Sequence, residues 1–198
     1  MTSLINADTS GGLKITSDTS GALDIQSAGT TKFAMDSSGN VSLAGNLAVT
    51  GLMPAGSIMQ VIQGRTKTVA THTQSSFVDI GLSATITPSS TSSKILVICN
   101  VAGIMVDATS GAFARLILLR GSTNVTGDGA APYLAYPHAF LSTAASRSAP
   151  TAINYLDSPA STSALTYKIQ NANSGGGSIN FQRDSQVYST MMLMEVAG

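Results

Sequence analysis

Short pairs of apolar residues, each of the form apolar-x-apolar, recur through the first fifty residues of the chain. Residues i and i+2 of a β-strand point to the same face, so each pair predicts a short strand with one apolar side. Gly, Ser, Asn, Asp and Thr fill most of the intervening positions, and this leaves too little apolar surface for a lone chain to build a core. The pairs therefore predict a fibrous shaft in which identical chains wrap together and share one core. Its predicted core residues are Leu13, Ile15, Leu23, Ile25, Phe33, Met35, Val41, Leu43, Leu47 and Val49.

Three related turn sequences separate these pairs, at residues 8–12, 18–21 and 36–40. Each begins with Asp, whose side chain accepts a hydrogen bond from the backbone two residues on, and contains Gly, which allows a positive φ. Such a recurrence is typical of an internal repeat. Disorder is the competing interpretation, because Ser/Gly-rich segments often stay unfolded. We expect the segment to be unfolded in an isolated monomer and ordered in an assembly.

The composition changes near residues 51–56, where Pro54 restricts the preceding residue to extended conformations. We therefore predict two parts, an N-terminal anchor and shaft over residues 1–53 and a separate domain over residues 54–198. The second part contains many short apolar or alternating segments between Gly-, Ser-, Pro- and Asn-rich turns, and no helical period. The expected fold class is all-β, with an antiparallel jelly roll forming a knob after the shaft.

The predicted strands of the second part are 58–63, 66–71, 77–80, 84–87, 94–104, 113–120, 140–142, 153–156, 165–170, 179–182 and 191–196. Two of them contain continuous apolar runs, at residues 95–98 and 116–119, and the run at 191–196 is similar. A strand that does not alternate is expected to have both faces covered. One face is expected to meet the core, and the other is available to a neighbouring subunit.

The charge balance excludes one large class of partner. Ten basic and ten acidic residues give a formal net charge of zero, and no basic stripe is visible. We therefore expect no nucleic-acid binding, which needs clustered cations to neutralise phosphates. The first twenty residues lack the features of a secretion signal, and no apolar run is long enough to cross a bilayer. We expect synthesis in a host cytoplasm and no membrane insertion.

Residues with catalytic or metal-binding chemistry are sparse. The chain has one cysteine, Cys99, in an apolar run that predicts a small buried side chain. Its two histidines, His72 and His138, lie far apart and have no ligand spacing around them that would make a zinc site. Glu195 is the only Glu, and no motif pairs two carboxylates as glycoside hydrolases require. We expect no enzymatic activity, no cofactor and no metal.

One loop is a candidate ligand site. Residues 126–140 contain Tyr133, Tyr136 and His138 together with two prolines. Aromatic faces stack on sugar rings, and prolines order a loop in advance, so binding costs less entropy. These three residues are the predicted contacts for a glycan. The alternative is an aromatic loop folded over the end of the core or packed between subunits.

The chain resembles a known class of proteins. Residues 13–51, which include Asp-Ser-Ser-Gly-Asn-Val-Ser-Leu-Ala-Gly-Asn-Leu-Ala-Val-Thr-Gly, resemble shaft segments of tailed-bacteriophage fibre proteins. Residues 75–97 resemble the heads of fibre-like structural proteins of phages of aquatic bacteria, and residues 166–170 and 194–196 look like later strands of the same module. The resemblance implies a virion protein that forms a parallel homotrimer. It further implies an intertwined β shaft and a knob of the tumour-necrosis-factor-like jelly-roll kind.

The resemblance leaves the role on the particle open. In a receptor-binding fibre, the knob binds a host surface glycan and the N-terminal segment is anchored in another virion protein. In a head fibre or capsid decoration protein, the N-terminal segment contacts and stabilises the shell. The short chain has no recognisable tail-anchoring domain, which weighs against a long tail fibre. A bacterial adhesion module and a glycan hydrolase are the remaining alternatives.

Overall fold

A computed structural model describes residues 22–44, 53–106, 113–126, 148–174, 177–183 and 186–198. The chain divides into two compact units, a first unit of residues 1–51 and a second unit of residues 52–198. The described residues form thirteen β-strands and no helix. Accordingly, no helix in this part of the chain could cross a membrane.

The first unit contains a three-stranded antiparallel sheet. Its strands are β1 (Leu23–Ser27), β2 (Thr30–Met35) and β3 (Val41–Leu43), in that order across the sheet. A turn at residues 36–40 joins β2 to β3. The Asp36 Oδ1 atom accepts hydrogen bonds of 2.9 Å from the backbone N–H groups of Ser38 and Asn40, and Gly39 has a φ of 84°. These contacts confirm the predicted turn at 36–40.

The second unit contains two antiparallel sheets. Its strands are β4 (Ile58–Thr66), β5 (Ala70–His72), β6 (Val78–Ile86), β7 (Lys94–Val106), β8 (Phe113–Arg120), β9 (Thr123–Asn124), β10 (Ser148–Asp157), β11 (Leu165–Ser174), β12 (Ile179–Phe181) and β13 (Ser189–Val196). The six-stranded sheet has the order β4-β13-β7-β12-β5, and β10 also pairs with β7. The four-stranded sheet has the order β6-β11-β8-β9. The fold class is therefore all-β and antiparallel, as predicted.

Alternation along the strands builds the core between these two sheets. In β6 and β13 every second residue is buried, which is the period of a strand with one covered face. The largest fully buried side chains are Tyr167, Phe181, Ile80, Leu82, Ile86, Ile95, Leu116, Leu118, Ile169, Ile179, Met191 and Leu193. They come from both sheets, so the second unit buries its own apolar face without help from another chain.

Cys99 belongs to this core and is 1% exposed. Burial raises the pKa of its thiol to about 12, which keeps it protonated and unreactive. The prediction that Cys99 is a small buried apolar side chain is confirmed.

Strand β4 of one sheet passes very close to strand β6 of the other at Gly64. A Cβ atom on Gly64 would lie far inside van der Waals contact with the carbonyl oxygen of Ser83. The neighbouring atom belongs to the backbone, so rotating a side chain could not relieve the clash. Glycine at position 64 therefore allows this side of the sandwich to close.

The structure corrects several predicted strand boundaries. Segments 77–80 and 84–87 belong to one strand, β6, which contains a bulge at Gly81 with a φ of 81°. Segment 66–71 was a wrong prediction, because β4 ends at Thr66 and β5 begins at Ala70. The short strand β9 had no sequence signal. Segment 140–142 lies outside the described residues.

Candidate binding surfaces

The apolar pairs of the first unit line one face of its sheet. Leu23 lies opposite Met35, which lies opposite Val41 in the next strand. Ile25, Phe33 and Leu43 form a second such row. Opposite residues of an antiparallel pair share a face, so all six side chains are on one side. Ile25 is 53% exposed, Val41 55% and Leu43 41%.

This face holds six of the ten predicted core residues of the shaft. Within one chain, the strands that carry them pair with each other as an antiparallel meander. Leu13, Ile15, Leu47 and Val49 lie outside the described residues. The sharing of these side chains between copies stays a prediction.

The predicted glycan contacts also lie outside the described residues. Tyr133, Tyr136 and His138 fall in the interval 127–147, between the end of the β8–β9 hairpin and the start of β10. Their role in binding stays a prediction.

A second apolar surface lies on the outer face of the six-stranded sheet. Val61, Met194, Leu96 and Leu156 stand opposite one another across β4, β13, β7 and β10. We call these four residues the apolar row. Val61 is 51% exposed and Leu156 50%, and the two central residues are half-buried. The row faces away from the core, because the neighbouring positions along each strand point inward.

Further apolar side chains extend the row on both sides. Met192 and Ile98 form the next cross-strand pair, and Ile98 is 38% exposed. On the other side, Ile58 is 50% exposed and Met59 40%. The flanking rows are only partly apolar, because Gln63 pairs with Met192 and Asn154 pairs with Ile98, and on the other side Lys94 pairs with Val196. The apolar surface is therefore a narrow band centred on the apolar row.

On the outer face of the four-stranded sheet, the part formed by β6 and β11 is polar and contains a groove. Lys168 Nζ lies 3.0 Å from Asp79 Oδ2, and Gln170 Nε2 donates a hydrogen bond of 2.7 Å to Asp79 Oδ1. The groove has a volume of about 270 Å³. We call it the polar groove; its lining residues are Asp79, Gly81, Leu82, Ser83, Thr166 and Lys168.

The bulge at Gly81 produces the groove. Ser83 pairs with Lys168 and Asp79 pairs with Gln170, so β6 uses two more residues than β11 between these pairs. Gly81 lies on the exposed side between two buried residues, and it has no side chain to fill the space there. The carboxylate and the ammonium group therefore border a depression in an otherwise regular sheet.

Glu195 is fully buried and acts as a hydrogen-bond hub. Its Oε1 atom accepts bonds from the backbone N–H of Ser89 at 2.7 Å, from Ser89 Oγ at 2.6 Å and from Ser93 Oγ at 2.7 Å. Its Oε2 atom accepts a bond of 2.6 Å from Gln60 Nε2, which also donates to the carbonyl oxygen of Thr87. The carboxylate thus links β13, β4 and the connection between β6 and β7.

Neutral donors keep this buried carboxyl ionised. Burial alone would raise the pKa of Glu195, but hydrogen bonds from Ser89, Gln60 and Ser93 outweigh it and hold the pKa at about 2. A carboxylate whose lone pairs are taken by structural donors is suited to fixing strands. It is poorly suited to proton transfer near neutral pH.

A second buried carboxylate connects the two sheets. Asp157 Oδ2 on β10 lies 2.6 Å from Arg120 Nη1 on β8 and accepts a 2.6 Å hydrogen bond from the Tyr167 hydroxyl on β11. Burial, together with the hydrogen bond to Asp157, raises the pKa of Tyr167 above its ordinary value. The phenol therefore stays protonated and continues to donate.

His72 is the last residue of β5, and its side chain is buried. Its ring centroid lies 5.5 Å from that of Phe181, and burial lowers its pKa. Within the residues that the structure describes, no group of three His, Cys, Asp or Glu side chains could hold a metal ion.

Sequence reasoning missed the polar groove and both carboxylate sites. Asp79 and Lys168 are 89 residues apart in sequence, and Glu195 and Ser89 are 106 apart. No local motif connects them. The only signal for the groove was Gly81 inside an alternating segment, which is typical of a bulge.

Comparisons with known proteins show little similarity in sequence. No protein-family model matches the chain, and no curated protein matches it. Among solved structures, the chain is similar to the VP2 subviral particle of infectious bursal disease virus, with a TM-score of 0.41 and 10% identity. The match covers 83% of this chain and 39% of that chain, so this chain spans well under half of its length.

Proposed function

We propose that this chain is a non-enzymatic structural protein of a bacteriophage particle that works as a homotrimer. Its second unit forms a knob that attaches to a host surface, and its N-terminal segment is held by another virion protein. The alternative role is a head fibre or capsid decoration protein that stabilises the shell. A bacterial adhesion module is the third hypothesis, and it ranks below the two virion roles.

The apolar row is the observation that carries the proposal. It lies on a sheet whose other face already has a complete core, so folding of the single chain gives no reason for it to be apolar. Burying a half-exposed aliphatic side chain contributes about 1 kcal/mol. The two half-exposed side chains at the ends of the row, with smaller contributions from its half-buried centre and its neighbours, therefore supply a few kcal/mol to an association.

A second copy of the chain is the occupant that fits this surface. The row carries no charge, so it offers nothing to select a charged partner. An equivalent row from a symmetry-related copy is its simplest complement, because soluble oligomers are mostly closed and symmetric. Its projected area is smaller than the roughly 800 Å² per partner of a stable interface, so the row would form the centre and polar residues the rim. The expected number of copies in the assembly, three, comes from the resemblance to fibre proteins.

The first unit supports the same assembly independently. Its sheet carries an apolar face that is about half exposed in the single chain. A three-stranded sheet with one uncovered apolar face has little stability of its own. Association of identical chains would cover this face as well.

Attachment to a host surface is the role that the knob suits best. A disulfide-free trimer presents each of its sites three times, and weak sites held together gain affinity on the order of 100-fold or more.

Labelling the protein on intact particles and imaging them distinguishes the two virion roles. Label at the tail tip supports attachment, and label distributed over the shell supports decoration.

The oligomeric state is tested on the full chain by light scattering and sedimentation velocity. We expect one species with three times the chain mass of 20.1 kDa. The double variant Val61→Lys/Leu156→Lys places two charges at the ends of the apolar row and should give monomers with unchanged circular dichroism. Val69→Lys is the matched control, because Val69 is 46% exposed but lies between β4 and β5, away from the row.

Two results would contradict the proposal. A wild-type chain that stays monomeric at micromolar concentration would remove the homotrimer. A Val61→Lys/Leu156→Lys variant that stays trimeric would show that copies associate through some other surface.

A further inference from the structure

We propose that the polar groove binds one sugar residue of an uncharged saccharide. The inference gives the proposed attachment function a ligand class and a place, and its biological use rests on that function. Its chemistry rests on the groove alone. The groove lies on the outer face of the four-stranded sheet, opposite to the sheet that carries the apolar row.

The groups around the groove retain unused hydrogen-bonding capacity. Each oxygen of Asp79 accepts one bond, from Lys168 or from Gln170, and has room for another. The side chain of Asp79 is 52% exposed, so a ligand can reach it. The ammonium group of Lys168 has three N–H donors and uses one of them on Asp79.

Hydroxyl groups complete the lining. Ser83 and Thr166 are exposed at the groove, and each can donate or accept. The Thr166 hydroxyl lies 2.8 Å from that of Thr85, which fixes its rotamer. Adjacent sugar hydroxyls are both donors and acceptors, so they match a surface that offers carboxylate, ammonium and hydroxyl groups within one depression.

Charge and size narrow the ligand class. Asp79 and Lys168 neutralise each other, so the groove has no net charge with which to attract an anion or a cation. A volume of about 270 Å³ is just below the roughly 300 Å³ at which small-molecule pockets begin. The groove therefore suits one ring with its substituents, and the rest of a saccharide chain would extend into solvent.

The groove is formed before any ligand arrives. The ion pair and the bond from Gln170 hold Asp79 in place, and the backbone bulge at Gly81 sets the depth. Binding would thus cost little ordering entropy. With a few polar contacts and an open site, we expect a dissociation constant on the order of 1 mM per site.

Saturation-transfer difference NMR on the full-length protein tests the proposal. The probes are glucose, galactose, mannose and N-acetylglucosamine, with N-acetylneuraminic acid as the charged comparison. We expect transfer from the protein to at least one neutral sugar and none to the charged one. Lys168→Gln and Asp79→Asn should each weaken that binding about tenfold or more, because each loses a charged hydrogen-bonding partner.

Matched controls separate the groove from a general charge effect. Lys32→Gln and Asp24→Asn make the same chemical changes on the small sheet of the first unit and should leave binding unchanged. Ser83→Gln fills the groove and keeps the ion pair, so it should abolish binding even if Asp79→Asn disturbs folding.

Several results would overturn the inference. One is no transfer to any neutral sugar at 100 times the expected dissociation constant, on the order of 100 mM. Another is binding that survives Ser83→Gln and Lys168→Gln. Preference for the charged sugar would also overturn it. Sedimentation of the same samples reports the trimer separately, so a groove without sugar is distinguishable from a failure of the proposed assembly.

Discussion

The two units solve the same problem in different ways. Both present an apolar face on an antiparallel sheet. In the second unit a second sheet covers that face, and side chains such as Ile80 and Leu193 are fully buried within one chain. In the first unit, Ile25 and Val41 on the equivalent face remain about half exposed. Alternating apolar residues are therefore enough to form a sheet, whereas a sheet that is stable on its own requires a second layer.

The largest expected effect concerns folding of the two parts when they are separated. Residues 1–53 alone should be unfolded as a monomer, because their sheet has no second layer. Residues 54–198 alone should give a β-type circular dichroism spectrum and a cooperative thermal transition. Ultracentrifugation establishes the oligomeric state of each fragment. A folded, monomeric 1–53 fragment would show that the first unit is stable without a second layer.

The next largest effect comes from the site where the two layers nearly touch. Gly64→Ala places a methyl group against the Ser83 carbonyl and should cost more than about 4 kcal/mol, or prevent folding of the second unit. Gly121→Ala is the control. Gly121 has a φ of 61° but open space around it, so about 1 kcal/mol is expected. Urea unfolding measures both, and equal costs would show that closure of the layers is not limiting.

The Glu195 hub should make the second unit sensitive to acid. The pKa of Glu195 is lowered from its ordinary 4.5 to about 2 in the folded state. Its stabilisation is therefore present above pH 4.5 and is lost as the pH falls toward 2, by on the order of 3 kcal/mol. Glu195→Gln should lower stability at pH 7 by a similar amount.

The pH dependence of the Glu195→Gln variant provides the control for this prediction. Unfolding free energies of both proteins at several pH values between 2 and 6 should converge as the pH falls. Parallel curves would assign the acid sensitivity to other carboxylates.

A smaller effect is expected where Asp157 joins the sheets. Tyr167→Phe removes one of its two donors and should cost about 2 kcal/mol, because the carboxylate stays buried and keeps only Arg120. Tyr188→Phe makes the same chemical change just before β13, where the side chain is 43% exposed, and should cost under about 0.5 kcal/mol. Similar losses in the two variants, measured by chemical denaturation, would mean that the hydrogen bond to Asp157 contributes little.

Local sequence pattern predicted most of the strands and little of the candidate sites. Strand β8 has the predicted bounds, residues 113–120, and the Asp36 turn has the predicted contacts. Alternation reports which face of a strand is buried, and this information is local. The reach of β6 was underestimated, because Gly81 looked like a break and is a bulge within the strand.

The apolar runs illustrate the limit of such reasoning. Both were expected to have two covered faces. In the run of β8, Ile117 and Leu119 on the outer side are only 5% and 7% exposed, as predicted. In the run of β7, the outward-facing Ile98 is 38% exposed. The same pattern thus occurs both on a face that the chain covers and on a face that it leaves partly exposed.

The polar groove and the carboxylate hubs could not be predicted for a physical reason. Each joins side chains from strands that are far apart in sequence, and hydrogen-bonding residues such as Ser and Asp are frequent enough that proximity in sequence carries no information. Their assembly depends on the sheet order, which no local pattern determined.

The position of β13 has a consequence for synthesis of the protein. This strand lies between β4 and β7, so it pairs Gln60 with Glu195 across 135 residues. The six-stranded sheet therefore cannot close until residues 189–196 have been translated, and β4 must wait with both of its edges unpaired. Pairing over such separations is slow. A ribosome that stops early would release a chain with a gap in the middle of its largest sheet, and the apolar row of such a chain would lack Met194, which stands between Val61 and Leu96.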